Sequence, residues 1–272
     1  MVILQTSQVV EGNMKIAICI KHVPTAENVE VNEETHQLIR DTAESDTNPC
    51  DLNALEFALQ LKNATDGTID VFSMGPENAM ASLKKSLAIG ADNAYLLADK
   101  RFAGSDTLGT ARVLAAGIKT HGPYDVIFTG SESSDGGTGQ VGPMIAEIFG
   151  MPDVSETVSV TAADGGLDIK KRVEGGNMLL HVATPVVLTV PFGCNEPTLP
   201  TLRSQRQANK ADIPHVDDDA LAIDDKTIGM PGALSIVTDV HSASSGRQAE
   251  EISGTFGEIA GRIGELIEEG RA

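Results

Sequence analysis

The sequence predicts an α/β fold with a doubly wound, mostly parallel sheet, an antiparallel hairpin appendage and a C-terminal helical arm. Three features predict it. Short apolar runs alternate four times with segments whose apolar residues recur at helical spacing. After Met151 the texture changes to β-prone runs separated by glycine turns. One run, from Asp125 to Phe128, ends at Gly130 in a loop of small residues that opens onto another helical segment.

Lys15 to Lys21 reads as a buried first strand, being short, apolar and rich in isoleucine. Residues 1–13 lack the cationic start and long apolar core of a secretory signal, so they read as an N-terminal extension, with Met14 an alternative start. Val23 to Thr47 is polar and reads as a hairpin or a long loop. Asn48-Pro49 then precedes Leu52, Leu55, Ala58 and Leu59 at helical spacing, which sets Asn48 at a strand-to-helix entrance. Ile69 to Met74 is a second strand, stopped by Gly75-Pro76. Met80, Leu83 and Leu87 follow on one helical face, with Gly90 at the C-cap. Asn93 to Leu97 is a third strand, and Ser105-Asp106-Thr107 caps a helix with Leu108, Ala111, Ala115 and Ile118 inward. The glycine stretch is the fourth unit. Such alternation implies parallel strands, right-handed crossovers and helices on both faces, a Rossmann-like arrangement.

Beyond Met151, Ser155 to Val160, Leu167 to Val173 and Met178 to Val182 read as antiparallel hairpins turned at Asp164-Gly165-Gly166 and Gly175-Gly176. Val186 to Val190 is again a buried strand. The segment from Pro191 to Leu202 is too proline-rich for a regular element: it is either a linker or a loop that presents Leu199 and Leu202 to a partner. Near the end, Ile252, Phe256, Ile259, Ile263 and Leu266 form an apolar stripe beside a second stripe of Gly254, Gly257, Gly261 and Gly264. These read as an arm packed closely on a partner or, alternatively, as a frayed tail. The expected organisation is thus an extension over 1–13, an α/β domain over 14–210 with hairpins at 155–183 and the presented loop at 191–205, and an arm over 211–272.

The glycine stretch carries the chemistry. Gly136, Gly137 and Gly139 have no Cβ and can take positive φ, so successive amides can turn inward and a phosphate can approach. Ile145, Ile148 and Phe149 predict a helix just beyond, whose free N-terminal amides favour an anion. Thr138 offers a hydroxyl to the same phosphate, and Asp135 is assigned to a ribose hydroxyl or to the loop backbone. The bland alternative is a surface loop, since the pattern is neither Gly-x-Gly-x-x-Gly nor a P-loop. In an open parallel sheet, however, ligands bind beyond the carboxyl ends of the strands, where the strand order reverses. Cys19 to His22, Asn48 to Asp51, Met74-Gly75 and Gly130 to Val141 all belong at such ends.

Composition narrows the class. The formal net charge of −19 argues against nucleic acid and anionic membrane surfaces, and no apolar run approaches a membrane span. The three cysteines, Cys19, Cys50 and Cys194, are scattered and odd in number, so a reducing, cytoplasmic compartment is expected rather than a disulfide framework. No Cys or His stands at metal-ligand spacing, and no metal is expected. No nucleophile–base pair accompanies the loop, which disfavours a hydrolase.

Several ordered motifs carry a family resemblance: Lys15-Ile-Ala-Ile-Cys-Ile-Lys21, Asn48-Pro49-x-Asp51-x-Asn53-Ala54-Leu55-Glu56, Ser73-Met74-Gly75-Pro76, Gly90-Ala91-Asp92, Phe102-Ala103-Gly104-Ser105-Asp106-Thr107, Asp135-Gly136-x-Thr138-x-Gln140-Val141-Gly142-Pro143 and Asn195-Glu196-Pro197. Together they resemble the β subunit of electron-transfer flavoproteins, over about Lys15 to Lys210. The resemblance implies a heterodimer with an α subunit that carries one FAD, and an adenine nucleotide in the strand-end crevice of this chain. In the ordinary class that nucleotide is a structural AMP. In the electron-bifurcating class it is a second FAD that takes a hydride from NADH and divides the pair between an acyl-CoA dehydrogenase-like flavoprotein and a low-potential acceptor, ferredoxin or flavodoxin. The Thr-x-Gln-Val-Gly-Pro ending and Phe-Ala-Gly-Ser-Asp-Thr resemble the bifurcating class more.

Carried over by position, the nucleotide would be lined by Cys19, Asn48, Pro49, Cys50, Asp51 and Met74, by Asp106 and Thr107, and by the loop residues Gly130, Ser131, Ser134, Asp135, Gly136, Gly137, Thr138, Gly139, Gln140 and Val141. Asn195, Glu196, Pro197, Leu199 and Leu202 would form the loop that docks the dehydrogenase partner. This sequence departs from the family at Gly130-Ser131-Glu132-Ser133-Ser134-Asp135, where the usual pattern is Gly-Arg-Gln-Ala-x-Asp. A cation near the phosphates is lost and a carboxylate gained, partly offset by Gly137 in place of a common acidic residue.

Overall fold

The computed structural model describes residues 13–25, 45–238 and 251–270. Seven parallel strands form the main sheet: β1 (Lys15–Cys19), β4 (Thr68–Met74), β5 (Asn93–Leu97), β6 (Val126–Gly130), β7 (Asp153–Val154), β11 (Val186–Val190) and β12 (His215–Val216). Their order is β12-β5-β4-β1-β6-β11-β7. From β1 the chain builds outward through β4 and β5, then returns to place β6 and β11 on the other side. The strand order therefore reverses between β1 and β6.

Alternation along the strands feeds two cores. Ile16, Ile18, Ile69, Val71, Val126, Phe128, Val186 and Leu188 point to one face, where helices α1 (Pro49–Thr65) and α2 (Met80–Ile89) cover them with Leu55, Leu61 and Leu83. Ala17, Cys19, Phe72, Ile127 and Val187 point to the other, against α3 (Thr107–His121) and α4 (Val141–Phe149). Each large side chain buried in this way contributes about 1.5–3 kcal/mol. Both faces of the sheet are covered, which is why its strands read as continuous apolar runs rather than alternating ones.

The hairpin region forms a three-stranded antiparallel sheet of β8 (Thr157–Ala163), β9 (Gly166–Val173) and β10 (Gly176–Val182), whose Val160, Leu167 and Ile169 join the first core. The ends of the polar segment after β1 pair antiparallel as β2 (His22–Pro24) and β3 (Ser45–Thr47). Residues 26–44 between them, and the expected extension through residue 12, lie outside the described residues.

The segment that follows residue 210 packs with the main sheet. The first compact unit runs to Val237. After α5 (Leu202–Ala208), β12 adds to the edge of β5, then α6 (Asp218–Leu221) and α7 (Gly229–Gly232) follow. Leu221 and the fully buried Ile228 belong to the second core, so burial rather than chain order places this segment in the main unit. On the expected helix α4, Ile148 is 44% exposed, and Ile145 carries the buried face.

The second unit holds α8 (Phe256–Glu269), started by Glu258, whose carboxylate accepts both the backbone N–H and the hydroxyl of Thr255 at 2.8 Å. None of its residues is buried. A Cβ added at Gly257, Gly261 or Gly264 would meet no neighbour within 4 Å. Alanine at each of these three positions is therefore expected to stabilise α8 by about 1 kcal/mol in the uncomplexed chain, read as slower amide exchange over residues 256–269.

Candidate strand-end anion site

The carboxyl ends of β1 and β6 lie side by side, and a buried carboxylate joins them. Asp51, in the first turn of α1 and 5% exposed, accepts the Lys21 N–H through Oδ2 at 2.7 Å and the Gly130 N–H through Oδ1 at 3.0 Å. Gly130 is required here: a Cβ would stand 2.3 Å from Asp51 Oδ1 and 2.7 Å from Cys50 Cβ. Burial pushes the Asp51 carboxyl up to about 7, against the pull of the amides that it accepts.

Asn48, 2% exposed, does not cap α1 with its side chain. Its Nδ2 donates to the Glu132 carbonyl at 2.8 Å and its Oδ1 accepts the Ser134 N–H at 3.2 Å, so it holds the loop that leaves β6. The Asn48 N–H in turn donates to the Lys21 carbonyl at 2.9 Å. The loop closes on itself through Gly137 N–H to Ser133 O at 2.8 Å, and Gly137 and Gly139 take φ of +57° and +63°. Thr107 donates its hydroxyl to Gln140 Oε1 at 2.9 Å, tying the start of α3 to the loop's far end.

The loop then enters α4 without a cap. Gln140 makes no side-chain capping bond, and among the described residues nothing accepts the N–H groups of Thr138, Gly139, Gln140 and Val141. These residues are open to solvent or nearly so, and the N-terminus of α4 concentrates positive potential there. Gly142 keeps the helix close to the sheet, since a Cβ would stand 2.6 Å from both Thr129 Oγ1 and Thr189 Cγ2. Unsatisfied amides, glycine access and a helix N-terminus fit a phosphate-bearing ligand.

A cation that the sequence analysis placed in the Cys19 to His22 strand end without singling it out also reaches the loop. Lys21 Nζ lies 2.6 Å from Asp135 Oδ1 and 3.2 Å from Ser133 Oγ. Burial would raise the Asp135 carboxyl, but Lys21 and the Ser133 hydroxyl hold it below the usual carboxylate range. Asp135 thus faces a lysine and the loop itself. The only local signal was a lysine closing an apolar strand.

The remaining expected residues take varied positions. Cys19 is buried below the crevice, its thiol pushed up by burial and then by the charge of Asp51, so it stays neutral. Met74 ends β4, half-buried against the second core. Pro49 opens α1, and Cys50 is buried with Sγ 3.8 Å from Ser131 Oγ. Asp106 spends its carboxylate on backbone: Oδ1 caps α3 at the Gly109 N–H (2.9 Å), and Oδ2 accepts the N–H groups of Leu234 and Ser235 (2.8 and 3.2 Å).

The proline-rich segment is held by α1. Asn53, 1% exposed, donates to the Asn195 carbonyl and Oδ1 (2.9 and 2.6 Å), accepts the Gly193 N–H (3.0 Å), and receives Asn195 Nδ2 on its own carbonyl (2.9 Å). Glu56 accepts both the N–H and the hydroxyl of Thr198. Asn195 is thus an anchor of the loop. Leu199 and Leu202 stand out at 82% and 76% exposure, with Glu196 exposed and Pro197 half-buried. A groove of about 970 Å³ lined by His22, Lys84, Lys85, Pro200, Gln205 and Asn209, among others, borders this segment; none of its lining belongs to the glycine loop. No helix among the described residues is long and apolar enough to cross a membrane.

The chain is similar over most of its length to known proteins of one family. Residues 35–221 match the electron transfer flavoprotein domain. The chain is 36% identical over 255 residues to the electron transfer flavoprotein subunit beta of Thermoanaerobacterium thermosaccharolyticum, covering 93% of this chain and 98% of that protein. It is 38% identical over 234 residues to the subunit of the same name from Megasphaera elsdenii, covering 84% and 87%. It is 33% identical over 258 residues to the caffeyl-CoA reductase-Etf complex subunit CarD of Acetobacterium woodii, covering 94% and 98%.

The Asp51 bridge makes a pH prediction. Its carboxyl has an ordinary value of 3.8 in the unfolded chain and about 7 in the folded one. Across that window the folded state holds the extra proton, so the stability contributed by Asp51 falls as pH rises and is lowest above about 7. The stability difference between the wild type and Asp51→Asn, from urea midpoints at pH 4–8, is expected to shift against the wild type with rising pH and then level off.

Proposed function

The chain belongs to the electron transfer flavoprotein family, on the β-subunit side, and on that premise we propose that its strand-end crevice binds FAD for electron transfer with an α subunit. The uncapped start of α4, where no described residue accepts the amides from Thr138 to Val141 at the strand-order reversal, supports this reading most directly. The diphosphate would rest on those amides, which Gly136, Gly137 and Gly139 leave accessible. Asn48 and Asp51 would hold the loop in shape from behind, and Thr107 and Gln140 would flank it. Bound FAD would supply the redox chemistry, accepting a hydride from NADH and dividing the electron pair between a high-potential and a low-potential acceptor. The chain's own part is to bind, orient and shield.

CarD's name places it in a complex with a caffeyl-CoA reductase. Carried to this chain, that makes an acyl-CoA dehydrogenase-like flavoprotein the class of high-potential partner. Leu199 and Leu202 would be its anchors, on a segment that Asn53 and Glu56 keep in place. Ferredoxin or flavodoxin would be the low-potential acceptor. The α8 arm would pack its glycine stripe against the α subunit, which accounts for Gly257, Gly261 and Gly264, glycines that no described neighbour requires. The second reading, AMP with a structural role in the same crevice, shares the phosphate-binding features.

Released nucleotides decide between them. From the heterodimer with an α subunit, denaturation is expected to release two FAD and no AMP; one FAD and one AMP would instead identify a single-flavin carrier. In the same complex Leu199→Ala with Leu202→Ala is expected to slow electron delivery to an acyl-CoA dehydrogenase-type acceptor without changing the nucleotide count, measured by acceptor reduction and by chromatography of the released nucleotides.

A further inference from the structure

The loop from Gly130 to Gly142 contains no lysine or arginine. A phosphate resting on its amides would find no cation within the loop, and two carboxylates, Glu132 and Asp135, nearby in sequence. Tertiary structure brings the cation from the exit of β1. Lys21 is fixed at its backbone by both polar groups: its N–H donates to Asp51 at 2.7 Å, and its carbonyl accepts the Asn48 N–H at 2.9 Å. The ammonium reaches Asp135 and Ser133 from that fixed base.

The two partners of this ion pair differ in access. The Asp135 side chain is 10% exposed, whereas that of Lys21 is 47% exposed. A Cβ at Gly136 would stand 3.2 Å from Ser133 Oγ and 3.9 Å from Lys21 Nζ, so the ammonium lies beside the glycine backbone of the loop. An ammonium carries three donors, and Ser133 and Asp135 use two of them.

We propose that Lys21 is the phosphate-recognising cation of the crevice and that Asp135 is its resident counter-ion, which competes with an incoming nucleotide phosphate for the ammonium. This rests on the nucleotide reading of the crevice. Without ligand, the pair is neutral and the carboxylate of an anion-binding loop is compensated. With ligand, the more highly charged phosphate takes the ammonium, and Asp135 is left to the Ser133 hydroxyl. The loop thereby rejects neutral ligands of the same shape, because only a phosphate can outbid a carboxylate already in place.

The test titrates the full chain, co-expressed with an α subunit and stripped of bound nucleotide, with ADP and with adenosine at low and high salt. Lys21→Gln is expected to weaken ADP by about tenfold or more, with a much smaller loss for adenosine and a shallower salt dependence. Lys21→Arg is expected to restore most of the ADP affinity. Asp135→Asn, and Asp135→Ser as a second variant should the first melt early, are expected to tighten ADP. Equal weakening of ADP by the Lys21 and Asp135 variants, or equal losses for ADP and adenosine, would reduce the pair to a strut of the loop and overturn the proposal. A wild-type complex that binds neither ligand would overturn the nucleotide reading itself, and the exchange with it.

Discussion

The carboxylate of Asp51 is the constraint on which the strand-end architecture depends. It accepts one amide from the exit of β1 and one from the exit of β6, the two strands between which the sheet order reverses. Strand ends that part in this way leave unpaired backbone groups, and an unpaired buried amide is costly. Asp51 satisfies two of them at once and sets the distance between the strands. Its own cost is desolvation, seen in a carboxyl raised to about 7. Gly130 follows from the same contact, since any side chain there would occupy the carboxylate's place.

From that fixed point the loop acquires its shape without using the groups that a ligand needs. Asn48 holds residues 132 and 134, and Ser133 and Gly137 close a turn, yet among the described residues nothing accepts the amides from Thr138 to Val141. The contrast with α3 is informative: Asp106 caps that helix and also secures Leu234 and Ser235, so its N-terminus is spent on structure. α4 has no such cap. A helix start left open beside glycines suits an anion. Lys21 and Asp135 bring one positive and one negative group to the same place in the loop.

Helix α1 couples this crevice to the exposed proline-rich segment. Its cap and first turn supply Asn48 and Asp51; its next turns supply Asn53 and Glu56, which hold residues 193, 195 and 198. A single rigid element thus supports both the strand-end crevice and a surface with Leu199 and Leu202 outermost. Proline limits the backbone of that segment, and the Asn53 network fixes its base.

By itself the sequence determined the features that are local. Period-two and period-3.6 apolar spacing, glycine turns and capping residues are short-range physics, so the alternating strands and helices, the three-stranded hairpin region, the glycine loop and the position of Asn48 at a helix entrance were all legible. Tertiary structure decided what depends on distant partners. Asp51 meets Gly130 across 79 residues, Asn48 meets Glu132 across 84, Lys21 meets Asp135 across 114, and Asn53 meets Asn195 across 142. No spacing rule encodes such pairs, so Asn48 and Asp51 emerged as struts of the crevice and Lys21 as its cation. Two-residue strands such as β7 and β12 show no period at all, which is why the segment after residue 210 joined the main unit only through burial of Leu221 and Ile228.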